Sequence, residues 1–133
     1  MPTAVVTGGS TGIGAAVVKA LAKRKYDVAF NYLRSAEEAE EVAREAASYG
    51  VKVISRKADA ASWQDMEKFA EEVKRTFKKV DALVVNAGGL PQRRNLEESD
   101  LEYWRQIIDL NLTSAYIATK LLVPLMDRGP WST

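Results

Sequence analysis

The order of elements along the chain predicts an α/β fold: a parallel sheet with helices on both faces. Three observations carry this. Four short runs of β-branched or apolar residues alternate with helical segments of ten or more residues, and such alternation implies right-handed βαβ units. A glycine-rich turn joins the first run directly to the first helical segment. The fourth run, Ala82 to Val85, has no polar alternation, the pattern of a strand covered on both faces.

Taken in order, Ala4 to Val6 reads as a strand ending in Thr7-Gly8-Gly9-Ser10-Thr11-Gly12-Ile13-Gly14, after which Ile13, Val17 and Leu21 recur at helical spacing. Val28 to Asn31 is the second strand. Ser35 stands as the N-cap of the second helix, with Glu38 three residues on as in a capping box, and the helix runs to about Tyr49 and stops at Gly50. Val51 to Ser55 is the third strand, and Asp59 to Ser62 a loop into a helix whose apolar stripe is Met66, Phe69, Ala70, Val73 and Phe77. The fourth strand is broken by Asn86-Ala87-Gly88-Gly89-Leu90-Pro91. A loop carrying Arg93 and Arg94 leads to Ser99, a candidate cap, and a helical pattern from about Leu101 to Met126, bent before Pro124.

Composition narrows the function. The 133 residues suit one domain. With 19 basic and 18 acidic side chains, no charge excess calls for a nucleic-acid or membrane partner. Cysteine and histidine are absent, which excludes a disulfide framework, a thiolate metal site and a Ser-His-Asp triad. The N-terminus lacks a basic segment and no apolar run is long enough to span a membrane, so a cytoplasmic location is expected.

Gly8, Gly12 and Gly14 lie where backbone can approach a pyrophosphate and a helix N-terminus can face its charge. No Gly-Lys-Ser/Thr follows, which disfavours a P-loop. At these residues the sequence resembles the short-chain dehydrogenase/reductase family, and within it the 3-oxoacyl-ACP reductase-like members. Thr7 to Gly14 looks like the family's cofactor turn and Asn86-Ala87-Gly88 like its second signature, while Asp59 and Asn111 fall in the family's order and approximate spacing. The resemblance runs from Thr3 to about Arg128. It implies a Rossmann-like sheet of strand order 3-2-1-4.

It also implies site residues. Ser10, Thr11 and Ile13, with Gly8, Gly12 and Gly14, would line the phosphate end, Asp59 and Ala60 would hold the adenine, and Asn86, Ala87 and Gly88 would lie along the ribose and nicotinamide. Cofactor preference rests on the end of the second strand, Asn31-Tyr32-Leu33-Arg34-Ser35. An acid there would bind a ribose 2′-hydroxyl and basic residues a 2′-phosphate. With no acid, and with Arg34 and Ser35 available, NADP(H) is favoured over NAD(H). The competing reading makes Arg34 a solvated neighbour of the acidic helix.

In the family a tyrosine acts as general acid, a lysine four residues on lowers its pKa, a serine orients the carbonyl and an asparagine supports a water path. Only the asparagine has a counterpart, Asn111, as the catalytic candidate; 22 residues follow it. Tyr116 and Lys120 satisfy Tyr-x-x-x-Lys, but they lie on the same helix as Asn111 with no preceding strand or serine. They read as a surface pair at i, i+4 beside an apolar stripe of Leu112, Ala115, Thr119, Leu122 and Met126. Where the family enters a fifth strand, the chain reads Pro130-Trp131-Ser132-Thr133. Since Trp has one codon, a one-base shift there encodes Leu, Met or Val, and a frameshifted or truncated reductase is the expectation. The fourth strand would then be an apolar edge, either covered by the tail or long helix or paired with another chain, so a homo-oligomer is expected.

The favoured reading is a single, incomplete dinucleotide-binding domain, residues 1–133. It is the cofactor-binding half of a reductase that moves hydride between NADP(H) and a small carbonyl or alcohol substrate when complete, and is inactive by itself. Two alternatives stand: a non-catalytic dinucleotide-binding or assembly module, and an enzyme completed in trans by a partner chain.

Overall fold

The computed structural model describes residues 1–90 and 92–127; Pro91 and the tail 128–133, which carries the Pro130 to Thr133 expectation, lie outside the described residues. Four strands, β1 (Thr3–Val6), β2 (Asp27–Tyr32), β3 (Val53–Lys57) and β4 (Ala82–Val84), form one parallel sheet in the order β3-β2-β1-β4. This is the order that the resemblance implies. The third strand is displaced two residues from the expected 51–55, because Val51 packs in the core with Ala39, Val42 and Ala46 while Val53 takes up the ladder beside Val28.

Helices cover both faces. On one, α1 (Gly12–Lys23) and α2 (Ala36–Ala47) pack on Val6, Val28 and Phe30; on the other, α3 (Trp63–Phe77) and α5 (Ser114–Leu122) pack on Val5, Ala29 and Ile54. Successive side chains of a strand point to opposite faces, so Val5 and Val6 serve different cores. The α3 stripe is as expected: Met66, Phe69, Ala70 and Val73 are buried and Phe77 packs against them. Ser62 caps this helix, its hydroxyl accepting the Asp65 amide at 3.2 Å.

Several local expectations are corrected. In α1 the buried face is Gly14, Ala15, Val18 and Ala22, one position on from the expected stripe, and Ile13 is 77% exposed. Small side chains face the sheet because α1 must lie close to the turn that precedes it. Ser35 forms no capping bond: its φ of −102° and ψ of 61° depart from the extended conformation that aims a cap hydroxyl at the helix amides. The second helix ends at Ala47, and Gly50 closes the following turn at φ +88°. Strand β4 does pack on both faces, Leu83 against one core cluster and Val84 against the other, but it is half-buried rather than buried, since among the described strands it has a neighbour, β1, along one edge alone.

The long helix is interrupted. Asp100, not Ser99, caps α4 (Leu101–Ile108), accepting the Tyr103 amide at 2.8 Å. A π turn, Asp109–Thr113, then leads to α5, and a 3₁₀ turn, Val123–Leu125, accommodates Pro124. The residue added by the π turn rotates everything downstream by roughly 100°. The buried face is therefore Ser114, Ile117, Ala118 and Leu122, while Leu112, expected in the stripe, is 64% exposed. The freed carbonyls find side-chain donors: Asn111 Nδ2 donates to the Ile107 carbonyl at 3.0 Å and Ser114 Oγ to that of Leu110 at 2.6 Å.

The chain after α5 returns to β4. The Val80 amide donates to the Leu125 carbonyl at 2.9 Å and Met126 forms a parallel bridge with Val80. This covers the entry to β4, while Val85 at its far end stays 41% exposed.

Candidate functional site

The glycine turn is fixed from both sides. Thr7, buried after β1, accepts the amides of Asn86 at 2.9 Å and Ala87 at 3.0 Å on its hydroxyl. Asn86 in turn donates its side-chain amide to the Gly8 carbonyl at 3.0 Å. A Cβ at residue 14 would stand 2.0 Å from the Gly8 oxygen and 2.5 Å from Asn86 Nδ2, so glycine there is what lets α1 start directly over the turn. Gly12 differs: its φ is +56° and a Cβ would meet nothing within 4 Å. The N-terminus of α1 has no side-chain cap and no acidic residue in its first turn, whereas α3 and α4 are capped. Its positive end thus has no acidic or capping side chain of its own helix against it.

The end of β2 supplies two kinds of residue. Asn31 is 2% exposed, accepts the Gly8 amide at 3.0 Å and donates to the Ala58 carbonyl at 3.0 Å. Arg34 is exposed and Ser35, free of any capping bond, stands beside it. Beyond β3, the Asp59 carboxylate accepts the Ala61 amide at 2.9 Å, and the Asp59 amide donates to the Asp65 carboxylate at 2.9 Å, so the Asp59–Ala60 corner is set by main-chain amides held on two carboxylates.

The wall after β4 depends on the π turn. Asn111 accepts the Gly89 amide at 2.9 Å and donates to the Gly89 carbonyl at 2.7 Å. A Cβ at residue 88 would lie 2.7 Å from Asn111 Oδ1. Further out, Tyr103 donates its hydroxyl to the Gln92 carbonyl and the Arg94 guanidinium lies 4.9 Å above the Tyr103 ring, tying this loop to α4.

These segments meet in one cleft of about 340 Å³ at the C-terminal ends of the strands, where α/β sheets bind ligands. Of the expected residues, Gly8, Ser10, Thr11, Ile13, Asn31, Tyr32, Arg34, Ser35, Asp59, Ala60, Asn86, Ala87 and Gly88 line it. Gly12, Gly14 and Asn111 do not; Gly14 and Asn111 shape the wall from behind. Leu33, Ala58 and Leu110 also line the cleft and were missed. Leu33 and Ala58 adjoin recognised residues, but Leu110 is placed by the π turn, for which the sequence carries no plain signal. Tyr116 and Lys120 lie elsewhere, in a surface groove on the outer side of α5 with Leu112 and Ala115. A larger open groove of about 900 Å³ between α1 and α2 shares only Ser10 and Thr11 with the cleft and carries the Lys19–Glu45 ion pair at 2.8 Å.

The residues present suit a dinucleotide: an uncapped helix end for a pyrophosphate, open space over Gly12, a cation and a hydroxyl at the end of β2, and a polar corner at Asp59. Residues 2–132 match the short chain dehydrogenase family. A 3-oxoacyl-[acyl-carrier-protein] reductase of Synechocystis sp. is 36% identical over 123 residues, 92% of this chain and 49% of that protein. A short chain dehydrogenase from Burkholderia cenocepacia, solved in complex with NADP, superposes with a TM-score of 0.90 at 31% identity, over 96% of this chain and 51% of that one. An NADH-dependent reductase complexed with NAD superposes with a TM-score of 0.85 at 27% identity, over 93% of this chain and 51% of that one. The chain spans about half the length of the curated relatives it matches.

Proposed function

Because the chain belongs to the short-chain dehydrogenase family, we propose that its cleft binds NADP(H) as the cofactor half of a reductase acting on a small carbonyl or alcohol substrate. The observation that carries this reading is the single cleft in which the glycine turn, the end of β2, the Asp59 corner and the Asn86–Gly88 wall converge. When bound, the nicotinamide supplies the hydride that the reaction transfers. The chain's own residues bind and orient. The amides at the start of α1 face the pyrophosphate, Asp59 and Ala60 hold the adenine, and Ala87 and Gly88 border the ribose and nicotinamide.

The preference for NADP(H) rests on Arg34 and Ser35 at the end of β2 and on the lack of an acid there. An exposed guanidinium pairs with a phosphate dianion better than with a hydroxyl. Asn111, with its amide committed to Gly89 and Ile107, supports the reaction by holding the wall beside the nicotinamide. Among the described residues Tyr116 and Lys120, the Tyr-x-x-x-Lys pair, lie in a groove away from the cleft, which supports cofactor binding without turnover by these 133 residues alone. The exposed Leu101, Trp104, Leu112, Tyr116 and Val123 along α4, the π turn, α5 and the 3₁₀ turn after it support self-association as a homo-oligomer. No helix of the described residues is long and apolar enough to cross a membrane; a cytoplasmic setting suits the cysteine-free sequence and the proposed cofactor.

Calorimetric titration of the 133-residue chain with NADPH and NADH, beside an assay of NADPH oxidation with a carbonyl substrate, tests the reading. Binding of both nucleotides, tighter for NADPH, with no oxidation, is expected. No binding of either at millimolar concentration would leave the fold without this function. Oxidation by a mixture with a second chain, but not by this chain alone, would mark an enzyme completed in trans.

A further inference from the structure

One side chain ties together two ends of the cleft that the sequence keeps far apart. Asn31 Oδ1 accepts the amide of Gly8, which opens the phosphate-facing turn, and Asn31 Nδ2 donates to the carbonyl of Ala58, which precedes the Asp59 corner. Its main-chain carbonyl also accepts the Gly9 amide at 3.1 Å, and Nδ2 lies 3.7 Å from Met66 Sδ on α3. Buried to 2%, the amide has its acceptor and donor engaged by the protein rather than offered to a ligand. The pairing demands this residue type: a carboxylate of the same shape has two acceptors and no donor for Ala58, leucine has neither, and serine is too short to bridge both.

We infer that Asn31 is a positioning residue that sets the distance between the phosphate-binding turn and the adenine-binding corner. The inference rests on the dinucleotide reading of the cleft. A rigid spacing favours ligands that engage both ends at once, since the cost of ordering two separate sites is met in advance by the fold. A ligand held at one end gains nothing from it.

The test compares the parent 133-residue chain with Asn31→Asp and Asn31→Leu, titrated with NADPH and with adenosine 2′-monophosphate, which lacks the pyrophosphate. Urea melts establish that each protein is folded under the titration conditions. Asn31→Asp should weaken NADPH about tenfold, as for a lost buried hydrogen bond, and adenosine 2′-monophosphate by less than about threefold, with a shift of the Gly8 amide resonance. Binding of NADPH within twofold of the parent, or equal losses for both ligands, overturns the inference. The parent gives an independent reading should neither variant fold: NADPH should slow hydrogen exchange at the Gly8 amide that Asn31 holds and adenosine 2′-monophosphate should not, and equal slowing by the two ligands overturns it. Failure of the parent to bind NADPH instead overturns the dinucleotide reading, and the inference with it.

Discussion

Replacing Gly14 by alanine separates what the glycine turn does for the fold from what it does for a ligand. The added Cβ would lie 2.0 Å from the Gly8 carbonyl oxygen and 2.5 Å from Asn86 Nδ2. The Gly8 oxygen is main chain, and Asn86 Nδ2, although the end of a side chain, is held on that oxygen at 3.0 Å while Thr7 holds the main-chain amide of Asn86. Overpacking of this kind costs about 1–3 kcal/mol, and the displaced Asn86–Gly8 hydrogen bond adds about 1 kcal/mol. The better helix propensity of alanine returns about 1 kcal/mol. The net loss is about 1–3 kcal/mol, and with a urea dependence of about 1–3 kcal/mol per molar the unfolding midpoint should fall by about 1–2 M. Gly12→Ala is the control. Its Cβ meets nothing within 4 Å, and only the φ of +56° opposes it, at about 1–2 kcal/mol; its larger effect should be on NADPH affinity, where the methyl stands over the helix end. Urea melts of the three proteins, with NADPH titrations, decide. A Gly14→Ala midpoint equal to that of the parent would refute the packing argument.

Three further outcomes are expected. Ser62→Ala should destabilise by about 1 kcal/mol through loss of the α3 cap, while Ser35→Ala, where no cap bond exists, should change stability by less than about 0.5 kcal/mol; thermal melts compare them. The Asp81 carboxyl is held below the usual carboxylate range by the Thr3 amide, aided by Lys79. Its stabilisation is thus present above the unfolded pKa, near 4, and is lost as pH falls through the lower folded value. Asp81→Asn should therefore cost stability at pH 7, by about 1 kcal/mol at most given the solvent around the carboxylate, and the difference should shrink as pH falls below the ordinary carboxylate range in a pH series of urea melts. Arg34→Ala should weaken NADPH about tenfold, as for a lost charge-assisted bond, and leave NADH within about twofold; equal effects on the two would assign Arg34 to the acidic surface of α2.

Elements differ in how far their sequence reveals them. The α3 stripe was legible because that helix has one face on the sheet and the other in water, so burial and hydropathy share a period. In α1, apolar residues occur all round: Val17 and Leu21 are partly buried beside Val18 and Ala22, and the pattern does not say which face lies closest. The phase of α5 was misread because the π turn adds a residue. Its stabilising bonds, from Asn111 to Ile107 and Gly89 and from Ser114 to Leu110, combine local and long-range partners. The apolar pattern of β4 matches its packing on both faces but not its half-burial, which depends on which strands lie beside it.

Element order, the glycine turn, the Asn86 and Asp59 signatures and the family follow from residue type and near-neighbour spacing. Which of those residues line the cleft and which brace it follows from packing between distant segments. Asn31 lines the cleft while its amide is engaged by Gly8 and Ala58; Asn111 grips Gly89 from behind the wall; Leu110, in the π turn, lines the cleft. The reason is that a buried amide takes whatever partners the packing brings within 3 Å, and those partners come from strands and turns distant in the chain.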